Sequence, residues 1–181
     1  VEIDVQSSIS NLQDQLSITG WVNIPIGGNQ NDSNWSTVIG ALDTWGILLY
    51  AGSNADGGKL GISLNGVGGV DGASDLRDGQ WHHIAATYNG SEIKVYVDGN
   101  EEGSSGASGI PSSHGGGSIF YIGKNNHSSS TNESFLGTID ELQMWNVALS
   151  PSSIQDIINS NNSIDGIVAN YYTERNGYRM P

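Results

Sequence analysis

The chain has 181 residues, and 19 Asp and Glu against 6 Lys and Arg give it a formal net charge of -13. Such a surface repels phosphate backbones and anionic lipids, so the composition predicts neither nucleic-acid binding nor membrane insertion. The chain has no cysteine, which excludes disulfides and thiolate metal sites and leaves only oxygen and imidazole ligands for a metal. The excess acid serves either solubility or divalent cations, and composition leaves both open.

Apolar and polar residues alternate over many short stretches, which is typical of antiparallel strands with one packed and one solvated face. In 79–99, two alternating runs flank Asn89-Gly90 and end at Asp98-Gly99. Both pairs accept the positive φ of a tight turn, so they predict a hairpin followed by a second turn. The predicted strands lie near 2–5, 16–23, 36–42, 45–51, 59–65, 81–88, 92–98, 118–123, 135–146 and 166–172.

One short helix is predicted near the C-terminus. Ser150 is a suitable N-cap, and Pro151 fits the first helical turn. Ile154, Ile157 and Ile158 then form an i, i+3, i+4 apolar stripe. We expect this stripe to pack against the strands.

A chain of this length and pattern is expected to form one unit, so residues 1–181 are predicted to be a single all-β domain. Its expected architecture is a two-sheet antiparallel β-sandwich with one short C-terminal helix. Three polar loops are expected to leave it at 25–35, 99–117 and 124–134. Long loops on a rigid scaffold commonly carry binding sites.

The sequence contains no Glu-x-Asp-x-x-Glu spacing, Gly-x-Ser-x-Gly elbow, phosphate loop or His-Glu-x-x-His motif. Asp140 and Glu141 are adjacent, as are His82 and His83. On a strand, adjacent side chains point to opposite faces and cannot flank one scissile bond. The chain is therefore predicted not to be an enzyme.

Three blocks resemble the laminin-G-like and pentraxin-like jelly rolls of the concanavalin A-like class. They are WHHIAATYNG with VYVDG (81–99), SIFYIGKNN (118–126) and FLGTIDELQMWNVALSPSSIQDI (135–157). The opening VEI and LSITGWVN are similar to the family's first strands. Residues 166–172 resemble the family's opening strand and are expected to occupy that edge position from the other end of the chain.

The resemblance implies a calcium site. Residues 49–64 align with the pentraxin strand-loop-strand that offers an Asp-Asn pair to calcium, with Gly57 in place of the Asn. The family's later Glu-Gln-Asp cluster corresponds here to two amides and a histidine, so any affinity should be weaker than in pentraxins. Calcium takes about six to eight oxygen ligands, and a polar loop without metal is the alternative. The implied ligands are Asp56, Asn125, Asn126 and Glu133, with His127 at the third cluster position.

Asp140 is a separate metal candidate. Apolar residues occupy odd positions through Ile139 and even positions from Leu142, and this switch of parity predicts a β-bulge at 140–141. In the wider jelly-roll family the acid of the Ile-Asp-Glu motif holds a structural calcium, so the resemblance implies that role for Asp140. The alternative is that Asp140 accepts hydrogen bonds from loop amides.

The tryptophans fall into two groups. Trp21, Trp81 and Trp145 lie in motifs of the family core and are predicted to pack, whereas Trp35 follows a polar run and Trp45 follows a turn. An aromatic ring offers its face to the apolar face of a sugar while amides bind the hydroxyls. The predicted glycan contacts are therefore Trp45, His127, Asn126 and Trp35. Capping of the sandwich edge is the alternative for both exposed tryptophans.

These features together predict a non-catalytic, lectin-like module with calcium-assisted recognition of a glycan or cell-surface polysaccharide. The expected parent is a larger multidomain adhesin or modular secreted protein, extracellular or on a bacterial cell surface. A structural or protein-binding spacer of an adhesin is the alternative, and a glycoside hydrolase is less favoured.

Overall fold

The computed structural model describes residues 2–4, 14–27, 36–41, 46–52, 57–112, 119–124, 134–159 and 167–171. For 2–4, 41, 119 and 167–171 only the backbone is described. The elements in these ranges are β1 (Glu2–Asp4), β2 (Leu16–Asn23), β3 (Thr37–Ala41), β4 (Ile47–Ala51), β5 (Leu60–Leu64), β6 (Gly68–Asp71), β7 (Trp81–Tyr88), β8 (Glu92–Val97), β9 (Asn100–Gly106), β10 (Ile119–Ile122), β11 (Thr138–Trp145), α1 (Pro151–Asn159) and β12 (Ile167–Tyr171).

The strands form two six-stranded sheets. Sheet A has the order β1-β10-β3-β4-β5-β6, and sheet B has the order β12-β11-β2-β7-β8-β9. Neighbouring strands in both sheets are antiparallel. The predicted two-sheet antiparallel β-sandwich is therefore confirmed.

The core lies between the sheets and follows the alternation of the sequence. In β8, Ile93, Val95 and Val97 belong to the buried core, while Glu92 and Lys94 lie on the opposite face. Fully burying an aliphatic side chain contributes about 1.5–3 kcal/mol. A slip of one residue would expose the whole apolar set, so this pattern sets the strand register.

The two predicted turns of the 79–99 segment differ in outcome. Asp98 and Gly99 both have positive φ, 49° and 80°, as the predicted two-residue turn requires. In the first turn, however, Gly90 and Ser91 are the central residues, because the Asn89 amide donates to the Glu92 carbonyl at 3.2 Å. The Asn89 side chain instead accepts from the amides of Ser91 and Glu92 at 2.9 and 2.8 Å.

Two strands were not predicted. β6 has the sequence GGVD and β9 the sequence NEEGSSG, and neither shows an apolar alternation. The expectation that 99–117 is one loop is therefore wrong for β9, which forms by pairing its backbone with β8. A Cβ on Gly103 would overlap the backbone oxygen of Asp71. The close approach of these two edge strands thus explains the glycine.

The predicted bulge in β11 is confirmed. Its register with β2 shifts between Asp140 and Gln143, and Glu141 has a φ of 49°. Beyond the bulge, β12 pairs antiparallel with β11 at the edge of sheet B. The segment 166–172 thus contributes an edge strand, as expected, and its equivalence to the family's opening strand stays a prediction.

Helix α1 begins as predicted, because the Ser150 hydroxyl accepts a hydrogen bond from the Ser153 amide at 3.1 Å. Such an N-cap satisfies one of the free amides of the first turn. Ile154 is fully buried and packs with Trp145, Ala85 and Tyr96 on the outer face of sheet B. The helix therefore covers part of the outer face of sheet B. Within the described ranges, no helix has the length and apolar character needed to cross a membrane.

Candidate ligand site at one end of sheet A

Strand order brings two of the predicted ligand loops to the same end of sheet A. Strands β4 and β10 are each antiparallel to β3, which lies between them. They therefore run in the same direction, and the segments after residues 51 and 122 leave the sheet at the same end. Two strand spacings separate them, roughly 10 Å.

The start of β3 holds the bases of both loops. The Ala51 amide donates to the Ser36 carbonyl at 3.0 Å, and Thr37 forms a β-bridge with Ser134. Ser134 also bridges Lys124. Residues 36–37 thus join the base of the loop after β4 to both ends of the loop after β10. We call this place the A-end, defined by Ser36, Thr37, Ala51, Lys124 and Ser134.

Thr37 is a buried polar side chain at the A-end. It is paired with Tyr50, and directly opposite residues in an antiparallel ladder share a face. Tyr50 alternates with Leu49 and Ala51, which belong to the core, so Thr37 and Tyr50 lie on the outer face of sheet A. The Thr37 side chain is fully buried, and its Oγ1 has no hydrogen-bond partner among the residues that the structure describes.

Tyrosine rings and small residues form the outer face of sheet A. The Tyr50 hydroxyl donates to a carboxylate oxygen of Asp71. A Cβ on Gly61 would overlap the Tyr50 ring, so the ring lies directly against that glycine. Tyr121 is half-buried on the same face, with Lys124 Nζ 4.3 Å from its ring centroid. The Tyr50 ring is itself buried on this face, so Tyr121 and Asp71 are the groups among these that keep surface for a ligand to contact.

A backbone hydrogen bond and a neighbouring ion pair hold the far end of the loop after β4. The Gly58 carbonyl accepts from the Leu76 amide at 3.0 Å. Next to it, Arg77 donates to Asp75 through Nε at 2.7 Å and through its terminal nitrogen at 2.6 Å. This hydrogen bonding by Arg77 holds the pKa of Asp75 below its ordinary value. Residues 57–58 are thus attached to the β6–β7 connection.

Most of the predicted site residues lie outside the described residues, namely Asp56, Asn125, Asn126, His127, Glu133, Trp35 and Trp45. Their roles stay predictions. The segments that carry Asp56, Asn125, Asn126, His127, Glu133 and Trp35 begin or end at or beside the A-end, whereas the segment with Trp45 joins the end of β3 to the start of β4, at the opposite end of sheet A. In the part of the chain that the structure describes, no three His, Asp or Glu side chains are grouped to hold a metal ion.

Asp140 is described, and it lies elsewhere. It is buried in β11 opposite Trp21, within sheet B, and its Oδ1 accepts from the Glu141 amide at 2.8 Å. The donor of that bond is an amide of the bulge within β11, whereas the alternative for Asp140 is a bond to loop amides. A calcium role for this carboxylate stays a prediction.

The three tryptophans predicted to pack are not equivalent. Trp145 is fully buried beneath α1, and its indole Nε1 donates to Thr19 Oγ1 at 3.2 Å. Trp21 and Trp81 are only half-buried. The Trp21 ring makes an edge contact with His83, with 5.3 Å between ring centroids.

Thr37, Tyr50 and Tyr121 were not recognised in the sequence. All residues of β4 are buried, so the alternation that would place Tyr50 on the outer face is hidden in an apolar run. Thr37 comes to lie opposite Tyr50, and Tyr121 comes to lie on the same face, only through the strand order β10-β3-β4, which local periodicity does not reveal.

His82 lies near the start of β7, at the end of the strand away from the β7–β8 turn. Its ring stands between two carboxylates. Its Nδ1 is 2.8 Å from Asp98 Oδ2, and its Nε2 is 3.2 Å from Asp78 Oδ1. Partial burial lowers the pKa of His82, but the hydrogen bonds and charges of Asp98 and Asp78 outweigh it and raise the pKa above its ordinary value. Only the protonated imidazole donates from both nitrogens.

We expect this pair of contacts to make stability depend on pH. Because the folded pKa of His82 is raised, the stabilisation is complete below the unfolded value of about 6.5 and is lost as pH rises through the folded value. The effect should stay under about 1 kcal/mol, since solvent screens the pair. Urea titrations between about pH 5 and about pH 8 should show the advantage of wild type over His82→Gln shrinking with pH. Parallel profiles for the two proteins would contradict this role.

The comparisons with known proteins agree with this architecture. Residues 2–155 match the profile of the Concanavalin A-like lectin/glucanases superfamily. The chain therefore belongs to that superfamily, and the resemblance seen in the three sequence blocks is confirmed.

Individual relatives cover the chain to different extents. The rat (Rattus norvegicus) sushi, von Willebrand factor type A, EGF and pentraxin domain-containing protein 1 is 30% identical over 105 residues, which are 55% of this chain and 3% of that protein. The chain thus spans a very small part of this relative. Domain 4 of AbnA, a GH43 extracellular arabinanase from Geobacillus stearothermophilus, was solved with arabinotriose. It is 26% identical with a TM-score of 0.59, over 80% of this chain and 66% of that one.

A candidate carbohydrate-binding protein from Bacteroides ovatus has a TM-score of 0.65. It is 19% identical, over 88% of this chain and 45% of that one. At this identity the likeness concerns the fold alone. Each of these three proteins is longer than the part that aligns with this chain.

Proposed function

We propose that the chain is a non-catalytic, extracellular carbohydrate-binding module whose calcium-assisted site lies at the A-end. The observation that carries this proposal is the attachment of two loop bases to one place, residues 36–37. One loop contains Asp56, and the other contains Asn125, Asn126 and Glu133. Their oxygens are of the hard type that calcium prefers.

The surroundings of the A-end fit a cation. Thr37 Oγ1 is a buried oxygen without a partner among the described residues, and the chain carries a formal net charge of -13. When bound, calcium would supply open coordination positions that a vicinal diol or a sugar carboxylate can fill. His127 and Trp35, which directly precedes Ser36 in the sequence, would supply the surface that covers the sugar ring.

Arabinose oligosaccharides are the first ligands to test. The arabinanase domain that was solved with arabinotriose is 26% identical to this chain, and the outer face of sheet A carries the half-buried Tyr121 and the exposed Asp71. Small polar ligands offer few atoms, so we expect a dissociation constant in the high-micromolar to millimolar range. Repetition of modules in a larger surface or secreted protein would raise the overall avidity.

Calorimetric titration with arabinotriose, in calcium and in excess chelator, tests the proposal. Binding is expected in calcium and should be lost in chelator. Glu133→Ala should abolish it without changing the circular dichroism spectrum, because it removes a carboxylate ligand. The matched control is Glu92→Ala, which removes a carboxylate from the outer face of sheet B.

Equal arabinotriose binding by Glu133→Ala in chelator would place the sugar site elsewhere. Absence of binding to any member of a glycan array, with and without calcium, would instead favour a spacer in an adhesin. Binding of a different glycan in the presence of calcium would support the proposed site and identify that glycan, in place of arabinotriose, as its ligand.

A further inference from the structure

The dipeptide Asn-Gly occurs twice in the described part of the chain, and the two asparagine side chains are held in opposite ways. Asn65, in the β5–β6 turn, is half-buried, and its Nδ2 donates to the Ser112 carbonyl at 2.7 Å and to the Ser112 hydroxyl at 3.2 Å. Asn89, in the β7–β8 turn, is exposed and is held through its side-chain oxygen instead. The same dipeptide thus lies in two different settings.

Three donors converge on the side-chain oxygen of Asn89. The amides of Ser91 and Glu92 donate to Oδ1 at 2.9 and 2.8 Å, and the Ser91 hydroxyl donates to it at 2.9 Å. A neutral amide oxygen has two lone pairs, so three donors exceed what it needs. Several donors aimed at one oxygen are suited to negative charge on that atom, as in an oxyanion hole.

Gly90 places a nucleophile beside this carboxamide. Its amide nitrogen donates no hydrogen bond among the described residues, and it carries no side chain that would hinder an approach. Because Asn89 Oδ1 reaches the amides two and three positions ahead, the carboxamide folds back over the peptide bond to Gly90. Attack of the Gly90 nitrogen on Asn89 Cγ closes a five-membered ring, so the two reacting atoms belong to one short, ordered segment.

We infer that the β7–β8 turn promotes a modification of its own asparagine, the deamidation of Asn89 through a cyclic imide. The Gly90 nitrogen bonds to Asn89 Cγ, the Cγ–Nδ2 bond breaks, and the proton released from the Gly90 nitrogen leaves with Nδ2 as ammonia. Negative charge develops on Oδ1 during the attack, and the three donors stabilise it more than they stabilise the neutral amide. Water then opens the imide at Cγ or at the main-chain carbonyl, which leaves aspartate or isoaspartate at position 89.

The same reaction is disfavoured at Asn65. Its nitrogen, the leaving group, is the atom that the Ser112 carbonyl and hydroxyl hold, and no described residue donates to its side-chain oxygen. The main chain is fixed on both sides, since the Asn65 amide donates to the Gly46 carbonyl at 2.7 Å and the Asn65 carbonyl accepts from the Ser112 amide at 3.0 Å. Ring closure there would break side-chain hydrogen bonds without gaining a donor for the oxyanion.

The two products affect the turn differently. A carboxylate at position 89 can accept the same three hydrogen bonds, and charge makes them stronger. Isoaspartate lengthens the main chain by one carbon between Tyr88 and Gly90, which disturbs the pairing of Tyr88 with Ile93. Mass-spectrometric peptide mapping with electron-transfer fragmentation distinguishes the two products and measures both asparagines in one incubation.

In folded wild type at neutral pH, we expect Asn89 to deamidate about tenfold faster than Asn65, the factor of one to two ordinary hydrogen bonds. The same chain unfolded in guanidinium chloride is the reference. There the two sites should react at similar rates, because glycine follows both asparagines, and Asn89 should react no faster than in the folded protein.

Variants of Ser91 test the donors directly. Ser91→Ala should slow the reaction of Asn89 in the folded protein about fivefold, the factor of one hydrogen bond, and should leave Asn65 unchanged. Ser91→Thr keeps a hydroxyl and should restore the rate. Ser104→Ala, which removes an exposed hydroxyl from β9, is the matched control and should react like wild type.

A slower reaction of Asn89 in the folded protein than in guanidinium chloride would overturn the inference, because the turn would then protect its asparagine. Equal rates for Asn89 in wild type and Ser91→Ala would also contradict it, since a donor to Oδ1 would contribute nothing to the reaction.

Discussion

Replacing Trp145 by alanine is expected to destabilise the folded protein by about 3–5 kcal/mol, the range found when a large buried aromatic side chain is removed. The indole is fully buried between sheet B and α1, where it contacts Ile154 and Tyr96. Its loss leaves a cavity beneath a helix of nine residues, which is too short to be stable without this packing. It also leaves the buried Thr19 hydroxyl without the indole donor.

Urea unfolding followed by circular dichroism measures this effect. The matched control is Val147→Ala, two residues further along the same segment, where the side chain is 37% exposed. That change should alter the free energy of unfolding by no more than about 0.5 kcal/mol. A loss below about 1 kcal/mol in Trp145→Ala would show that α1 does not depend on this residue.

The proposed calcium site leads to the second large expected effect, the response of stability to a chelator. A ligand that binds only the native state stabilises it by about 2.7 kcal/mol at a concentration of 100 times its dissociation constant. Excess chelator should therefore lower the melting temperature by several degrees. Asp56→Ala should unfold at the chelator temperature with calcium present, because it removes the carboxylate that we propose as a calcium ligand from the loop after β4.

Asp43→Ala is the control for this experiment, since it removes one carboxylate from a segment that the proposed site does not use. Differential scanning calorimetry of wild type and both variants, with and without chelator, provides the comparison. An identical melting curve for wild type in calcium and in chelator would contradict the proposed calcium site. If Asp56→Ala and Asp43→Ala lowered the melting temperature by the same amount, the effect would reflect the loss of one negative charge alone.

Local pattern in the sequence determined most of the scaffold. Alternation in 92–98 placed Ile93 and Val95 in the core, and the switch of parity after Ile139 located the bulge that β11 shows. The stripe and the Ser150 cap located α1. Each of these depends on period and on the conformational preferences of single residues, and both act over a few positions.

The tertiary structure decided the elements that have no such local signal. β6 and β9 consist largely of glycine, serine and acidic residues, and they become strands because a neighbouring strand offers its backbone hydrogen bonds. Similarly, the turn after β7 centres on Gly90 and Ser91 because the Asn89 side chain accepts from two amides of the turn. Pairing partners outweigh weak intrinsic preferences in both places.

The candidate site shows the same division. The sequence by itself identified loops rich in oxygen ligands and, through family resemblance, paired them around calcium. Only the strand order β10-β3-β4 brought their bases to residues 36–37 and placed Thr37 and Tyr50 on one face. The reason is physical: a strand's neighbours are chosen by packing over the whole sandwich, so residues far apart in the chain meet there without any shared pattern.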